Sequence, residues 1–285
     1  MKKDLAALIE SEMPNLSKGK RRIAETILSD YDKIAYMTAA KLSEMVGVSE
    51  STVVRFAIDL GFDGYPEFQH AVQELVRAKL TPNQRIRISE ERIKGANPIE
   101  NVMLSDAEKI KYTMQTVDRE AFSAAVDAIV AAENVYIFGV RSSAFLAGFF
   151  NFNLSMIQDN VRLVQPTSSS EIFEQILGIG RRDVLFAISF PRYSAKVVNA
   201  LKYARSREAE VIALTDSVQS PLAEHASYLL TAQSDMASFV DSLVAPLSII
   251  DALLVAVTQR RGDEVRDRFD RLERVWDEYD VYAKS

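Results

Sequence analysis

Near residue 133 the spacing of apolar residues changes period, and this constrains the fold more than any other feature of the chain. Downstream lie five short apolar runs: Val135–Phe138, Val161–Val164, Val184–Ile188, Val211–Leu214 and Tyr228–Leu230. Segments with helical patterning separate most of them. Strands buried on both faces read as continuous apolar runs, whereas a half-exposed strand alternates. The second half is therefore expected to be an α/β domain, a five-stranded parallel sheet flanked by helices. Upstream there is no strand-like alternation. Leu5, Leu8, Ile9 and Met13 fall at helical spacing, and Ser17 is placed to cap a second helix through Ile23, Ile27 and Leu28. A third helix is expected from near Thr38 and a fourth after Ser49, which makes the first 80 residues a small all-α domain.

Between the two halves, Pro82, Gly95 and Pro98 bracket a charged stretch, Arg85–Lys94, of little apolar periodicity. It reads as a linker. Helices are expected over Ile99–Val117 and Arg119–Ala132, and later over Phe239–Gln259 and Asp263–Tyr282. The expected domains are 1–80, a linker and connecting helix over 81–120, the α/β domain over 121–262 and a charged C-terminal helix over 263–285.

Composition excludes several chemistries. The chain has 285 residues and no cysteine, so disulfides, thiolate catalysis and Cys-ligated zinc are all absent. Its two histidines, His70 and His225, are far apart in sequence, and no metal site or cofactor is expected. The N-terminus has two lysines followed at once by Asp4, with no apolar core before Glu10, so it does not read as a signal peptide. The most apolar stretch carries Asp241 and Asp251, which a lipid-facing span would not tolerate. A cytoplasmic protein without membrane contact is expected. The net charge of −6 excludes a bulk nucleic-acid coat. Residues 131–285 carry 16 basic and 20 acidic residues, so most of the acidity lies in the second half. Residues 1–80 are nearly neutral, with 11 basic and 12 acidic.

Residues 37–57, MTAAKLSEMVGVSESTVVRFA, meet the demands of a helix-turn-helix. Two helices crossing steeply need small residues where they touch, and Ala39, Ala40 and Ser43 supply them. Gly47 sits at the turn, Val48 plugs the gap, and Ser49 is placed to cap the second helix. Leu42, Val46, Val53 and Phe56 supply a shared core. In such a motif the start of the second helix meets base edges in the major groove. Ser49, Glu50, Ser51, Thr52 and Arg55 are the candidates for that contact, with Lys18, Lys20, Arg21 and Arg22 for phosphates. Gly61 is expected to end the second helix, and Phe62, Tyr65 and Phe68 to fold back on the bundle.

Three hydroxyl-rich loops follow expected strand ends: Gly139–Ser143, Pro166–Glu171 and Ser189–Ser194. Ligands bind at that edge of an open parallel sheet. Arg141, Ser142, Ser143, Ser168, Ser169, Ser189, Arg192 and Ser194 together suit a phosphate and a polyol. A dinucleotide site needs G-x-G-x-x-G, but Arg141 stands where the second glycine belongs, and no P-loop is present. A sugar isomerase is the competing enzyme reading. It needs a general base, for which Glu171, Glu224 and His225 are the candidates, and no acid/base pair stands at a telling spacing. A helical adaptor with a defunct sugar pocket is a third reading. No catalytic residue is assigned.

The 37–57 motif, the Leu60–Phe68 stretch and the Gly139–Ser143 and Ser189–Ser194 loops resemble an RpiR-type transcriptional regulator, an N-terminal helix-turn-helix domain joined to a C-terminal SIS (sugar isomerase) domain. The resemblance implies a double-stranded DNA operator as partner, an effector of the sugar-phosphate class, control of carbohydrate-metabolism genes, and a homodimer or homotetramer. Ser142 and Ser143 match the first SIS loop, and Ser189 and Ser194 match the ends of the third. Arg141 departs from a position usually held by glycine, and Phe190-Pro191-Arg192-Tyr193 departs from the usual serine and glycine of the third loop. The Ile99–Val117 helix is expected to carry the ligand response, and Ala144–Ile157, apolar on too many faces, to form both core and subunit interface.

Overall fold

The computed structural model describes residues 5–77, 81, 83–86, 89, 97–235 and 240–282. Most of the Arg85–Lys94 stretch, Gly95, the His70 side chain and Phe239 lie outside the described residues. Contacts divide the chain into two compact units, residues 1–85 and 86–285.

The first unit holds α1 (Leu5–Glu12), a 3-10 turn, α2 (Lys18–Ile34), α3 (Ala39–Val46), α4 (Glu50–Asp59) and α5 (Tyr65–Arg77). Of the expected core, Ile9, Ile23, Ile27, Leu42, Val53, Phe56 and Phe68 are buried, whereas Leu8, Met13 and Leu28 are half-buried. Phe68 meets Phe56 edge-on at 5.6 Å, and Phe62 at 5.4 Å. Carbonyls left open where α2 ends are covered from α5. Tyr65 Oη and Gln69 Nε2 both donate to the Met37 carbonyl, at 2.8 and 2.7 Å, and Gln73 Nε2 donates to Ala35. Burial pushes the Tyr65 phenol up to about 12. Ser17 stands at the N-cap of α2, but its side chain makes no capping hydrogen bond.

The second unit runs α6 (Pro98–Thr116), α7 (Arg119–Ala131), β1 (Asn134–Gly139), α8 (Ser143–Ile157), β2 (Val161–Val164), α9 (Ser169–Gln175), β3 (Asp183–Ile188), α10 (Ala195–Ser206), β4 (Glu210–Thr215), β5 (Tyr228–Thr231), α11 (Val244–Arg261) and α12 (Asp263–Glu278). The five strands form one sheet in the order β2-β1-β3-β4-β5, and every pairing is parallel. Val135, Ile137, Val184, Phe186 and Ile212 face α7, α8 and α11, and Tyr136, Phe138, Leu185, Val211 and Ala213 face α9 and α10. Burial on both faces is why these strands read as unbroken apolar runs.

Two expectations are corrected here. The Phe239–Gln259 helix begins only at Val244, so Asp241 precedes it. β2 is not wholly apolar or buried: it is an edge strand, and its exposed Arg162 lays its guanidinium over the Tyr136 ring at 5.5 Å. The C-terminal helix belongs to the second unit, where Val265 enters the core and Arg268 binds Asp159 and the Ser155 carbonyl.

Candidate functional site

In the first unit the helix-turn-helix is built from local bonds. Thr38 caps α3 by accepting from Lys41 N–H at 3.2 Å. Gly47 ends α3 at φ +70°, and its N–H reaches the Ser43 carbonyl at 2.9 Å. Ser49 caps α4 by accepting from Thr52 N–H at 3.3 Å. Leu60 is the C-cap of α4, and Gly61 follows it at φ +90° while Phe62 N–H closes on the Ala57 carbonyl. Val48 packs towards the backbone of Gly19 in α2, where an added Cβ would sit 3.5 Å from its Cγ1. Ser43 and Ala39 are buried as the crossing requires, but Ala40 is exposed and takes no part in it.

The expected DNA contacts divide into two groups. Glu50, Ser51 and Arg55 are exposed on α4, and Thr52 is half-buried. Lys18 is exposed as well. The other cations are engaged within the unit. Lys20 pairs with Asp59, Arg21 donates to the Met13 carbonyl, and Arg22 donates to the Val46 carbonyl at the end of α3. Arg22 thus secures the turn. The Ser49 hydroxyl is committed to its cap and to the hydroxyls of Ser51 and Thr52, at 2.9 and 2.8 Å.

In the second unit the strand order ranks the loops. The chain leaves β1 for β2 on one side and returns to β3 on the other, so the switch point lies between β1 and β3. The Gly139–Ser143 and Ser189–Ser194 loops flank that crevice. The Ser168 loop, after β2, is one strand further out. There Ser168 caps α9, and the Thr167 N–H and Oγ–H both donate to Glu171, at 2.7 and 2.6 Å. Ser168 therefore serves as a cap, while Ser169 is exposed in the first turn.

At the first crevice loop, a Cβ on Gly139 would lie 2.5 Å from the Ser143 carbonyl oxygen, so only glycine lets α8 start this close to β1. Arg141 adopts φ +57°, the left-handed region, which explains why its place suits glycine. Arg141 and Ser142 are exposed, whereas Ser143 is buried under the loop. At the other loop, Ser189 is buried and its Oγ accepts from Ser194 N–H at 3.2 Å, while Arg192 is exposed.

A fourth loop, after β4, is not among the three that the sequence singles out. Tyr193 Oη donates to Asp216 at 2.8 Å, and Thr215 Oγ1 meets Ser220 Oγ at 2.9 Å. This joins the β3 and β4 ends with a phenol and a carboxylate. The hydroxyls of Thr215 and Ser217 directly after an apolar run are the signal that could have found it.

The candidate isomerase bases fare poorly. Glu224 and His225 form a 3-10 turn just before β5, at the amino-terminal edge of the sheet and away from the crevice. The Thr167 hydrogen bonds hold the Glu171 carboxyl below its usual value, the wrong direction for a general base.

A helix-turn-helix joined to a doubly wound parallel sheet with its crevice at the β1/β3 edge defines a two-domain regulator. Residues 3–79 match the helix-turn-helix domain of the rpiR family, and residues 128–256 match the SIS domain. The chain belongs to the RpiR family of helix-turn-helix transcriptional regulators. It is 28% identical over 274 residues to the HTH-type transcriptional regulator HexR of Escherichia coli, covering 93% of this chain and 91% of that one. To HexR of Pseudomonas aeruginosa it is 27% identical over 281 residues, 95% of this chain and 94% of the other. Among solved structures, the sugar isomerase domain of an RpiR transcription factor from Sphaerobacter thermophilus is 26% identical, with a TM-score of 0.59 over 62% of this chain and 98% of that one. The Vibrio vulnificus NanR protein, complexed with ManNAc-6P, shares the fold at 22% identity and a TM-score of 0.61, covering 98% of this chain and all of that one. No described helix is long and apolar enough to cross a membrane.

Proposed function

We propose that the chain binds operator DNA of carbohydrate-metabolism genes with α4 in the major groove, and that a phosphorylated sugar or related metabolite at the β1/β3 crevice changes that affinity. For DNA, the supporting observation is the capped α3–Gly47–α4 unit with Glu50, Ser51 and Arg55 left exposed on α4. Arg55 reads guanine or holds a phosphate, and Lys18 adds a phosphate contact. For the effector, the crevice pairs exposed Arg141 and Arg192 with Ser142, Ser189 and Ser194. Two guanidiniums suit a phosphate or carboxylate by bidentate bonds, and the hydroxyls and Asp216 suit a polyol. NanR, of the same fold, carries ManNAc-6P, which belongs to this ligand class.

Regulation requires that the effector bind two arrangements of the protein unequally. The reading places the protein in the cytoplasm, as a homo-oligomer whose copies present two α4 helices to two half-sites. The outer face of α8 supports self-association, since Phe145 is 80% and Phe152 65% exposed. The test is a fluorescence-anisotropy titration of labelled upstream DNA at several salt concentrations, with and without a panel of hexose and amino-sugar phosphates. Sequence-specific binding that one phosphate shifts supports the reading. Binding that ignores sequence would sink it, and turnover of a sugar phosphate would revive the isomerase.

A further inference from the structure

α6 is built inside out for a surface helix. The side it turns to the protein is polar: Lys109 and Thr113 are buried, and Ser105 and Asp106 half-buried. Lys109 Nζ lies 2.7 Å from Ser105 Oγ and 3.3 Å from Asp106, which also accepts from Ser242 Oγ–H at 2.6 Å. Thr113 Oγ1 accepts from Gln233 N–H at 2.9 Å. These bonds fasten α6 to the segment beyond β5. Its apolar stripe faces outward instead. Among the described residues Ile99 is 69%, Met103 66% and Met114 57% exposed, and Ile110 joins them at helical spacing. The C-terminal half of this stripe borders an open cavity of about 370 Å³, with Ile110 and Met114 on one wall and Ala245, Ser248 and Ala252 of α11 on the other. A helix that spends its buried side on polar groups and leaves its apolar side in water needs a cover.

We propose that a second copy of this chain is that cover, with α6 packed antiparallel on the partner's α6 about a two-fold axis between Asp106 and Ala107. The stripe is self-complementary, as an isologous contact demands. Ile99 and Met114 lie equally far from that axis, and so do Met103 and Ile110. Ala107, exposed at the centre, puts no bulk at the crossing. The two halves fit as knob and hole. The N-terminal half projects Ile99 and Met103, and antiparallel pairing sets them over the partner's cavity beside Ala245, Ser248 and Ala252. Charge agrees with this direction. Antiparallel pairing brings Glu100 within about one turn of the partner's Lys111, whereas parallel pairing would set Glu100 beside its own copy. The proposal rests on the self-association clause of the function above, and on neither its DNA nor its sugar clause. It makes one helix both a subunit contact and a fixture of the sheet edge that carries the crevice.

Because the chain has no cysteine, introduced thiols report cleanly. In the full-length protein, Ala107→Cys is expected to oxidise to a disulfide-linked dimer across the axis. Met103→Cys alone sets its two thiols about 10 Å apart along the helices, at 1.5 Å per residue, and is expected to link only when combined with Ile110→Cys. The pair Ile99→Glu and Met103→Glu, both at exposed positions, is expected to halve the native mass by light scattering without changing the circular-dichroism melt. A monomeric native protein overturns the proposal. So does an Ala107→Cys variant that stays unlinked in a native oligomer, a native mass that the glutamate pair leaves unchanged, or a native cavity that still takes up an apolar dye. Each failure leaves the operator titration to stand or fall on its own.

Discussion

The two candidate sites follow opposite plans. The DNA-reading surface is one short helix, with Glu50, Ser51, Thr52 and Arg55 inside a six-residue span. The crevice is assembled from Gly139–Ser143 and Ser189–Ser194, about fifty residues apart, which meet because β3 pairs with β1. A site carried by one helix depends on caps and turns, each worth about 1 kcal/mol. A site gathered from several strand ends depends on close packing of backbone, where one added atom is costly.

The glycines give the largest expected contrast. Gly139→Ala forces a Cβ against the backbone of α8 and is expected to cost about 3 kcal/mol or more, read as a shifted denaturation midpoint. Gly47→Ala meets only the movable Arg22 guanidinium at 3.0 Å and a left-handed φ, so about 1–2 kcal/mol is expected. Equal losses would break the comparison.

Arg55→Ala is expected to weaken operator binding about 10- to 100-fold, or roughly 1–3 kcal/mol. Lys20→Ala, already paired with Asp59, is expected to change it by no more than a few-fold. The same anisotropy titration orders the two, and a larger effect at Lys20 would return the α2 cations to the DNA surface. On the other side, Ser142→Ala and Arg192→Ala are expected to raise the effector concentration needed for response about tenfold while leaving operator affinity unchanged.

Arg141→Gly separates fold from function within one residue. It relieves a left-handed φ and is expected to raise stability by up to about 1 kcal/mol, partly offset by glycine's chain entropy, yet to weaken the effector response. Loss of stability in that variant would mean that Arg141 holds the loop. The smallest effect is acid-linked. The Arg268 guanidinium, 2.6 Å from Asp159, holds that carboxyl below the usual carboxylate range. Its contribution is therefore complete above the unfolded value near 4 and is lost as pH falls through the lower native one. Asp159→Asn is expected to flatten the acid limb of the stability curve slightly, and an unchanged limb would remove the pair from the account.

Most of the first unit was legible because its signals are local. Thr38, Gly47, Ser49 and Gly61 each act within a few residues of chain, and each stands at or beside the helix end its position predicts. The partners of three α2 cations, Lys20, Arg21 and Arg22, were not legible, because a basic cluster reads as one exposed surface until its distant partners are seen. Asp59 and the Val46 carbonyl, which engage Lys20 and Arg22, lie 39 and 24 residues away. In the second unit the strands were legible from burial on both faces. The loops could be found but not ranked, and Ser168 proved to be a cap one strand away from the crevice.

The sequence by itself determined the two-domain plan, the parallel sheet, the helix-turn-helix and the residues of α4, since period, capping and turn chemistry act along the chain. Only the tertiary structure decided which loops share a crevice, that Tyr193 reaches Asp216, that Glu224 and His225 lie at the wrong edge, and that α6 wears its apolar side outward. Those depend on strand order and on which face of a helix meets a neighbour, and neither is written in local spacing.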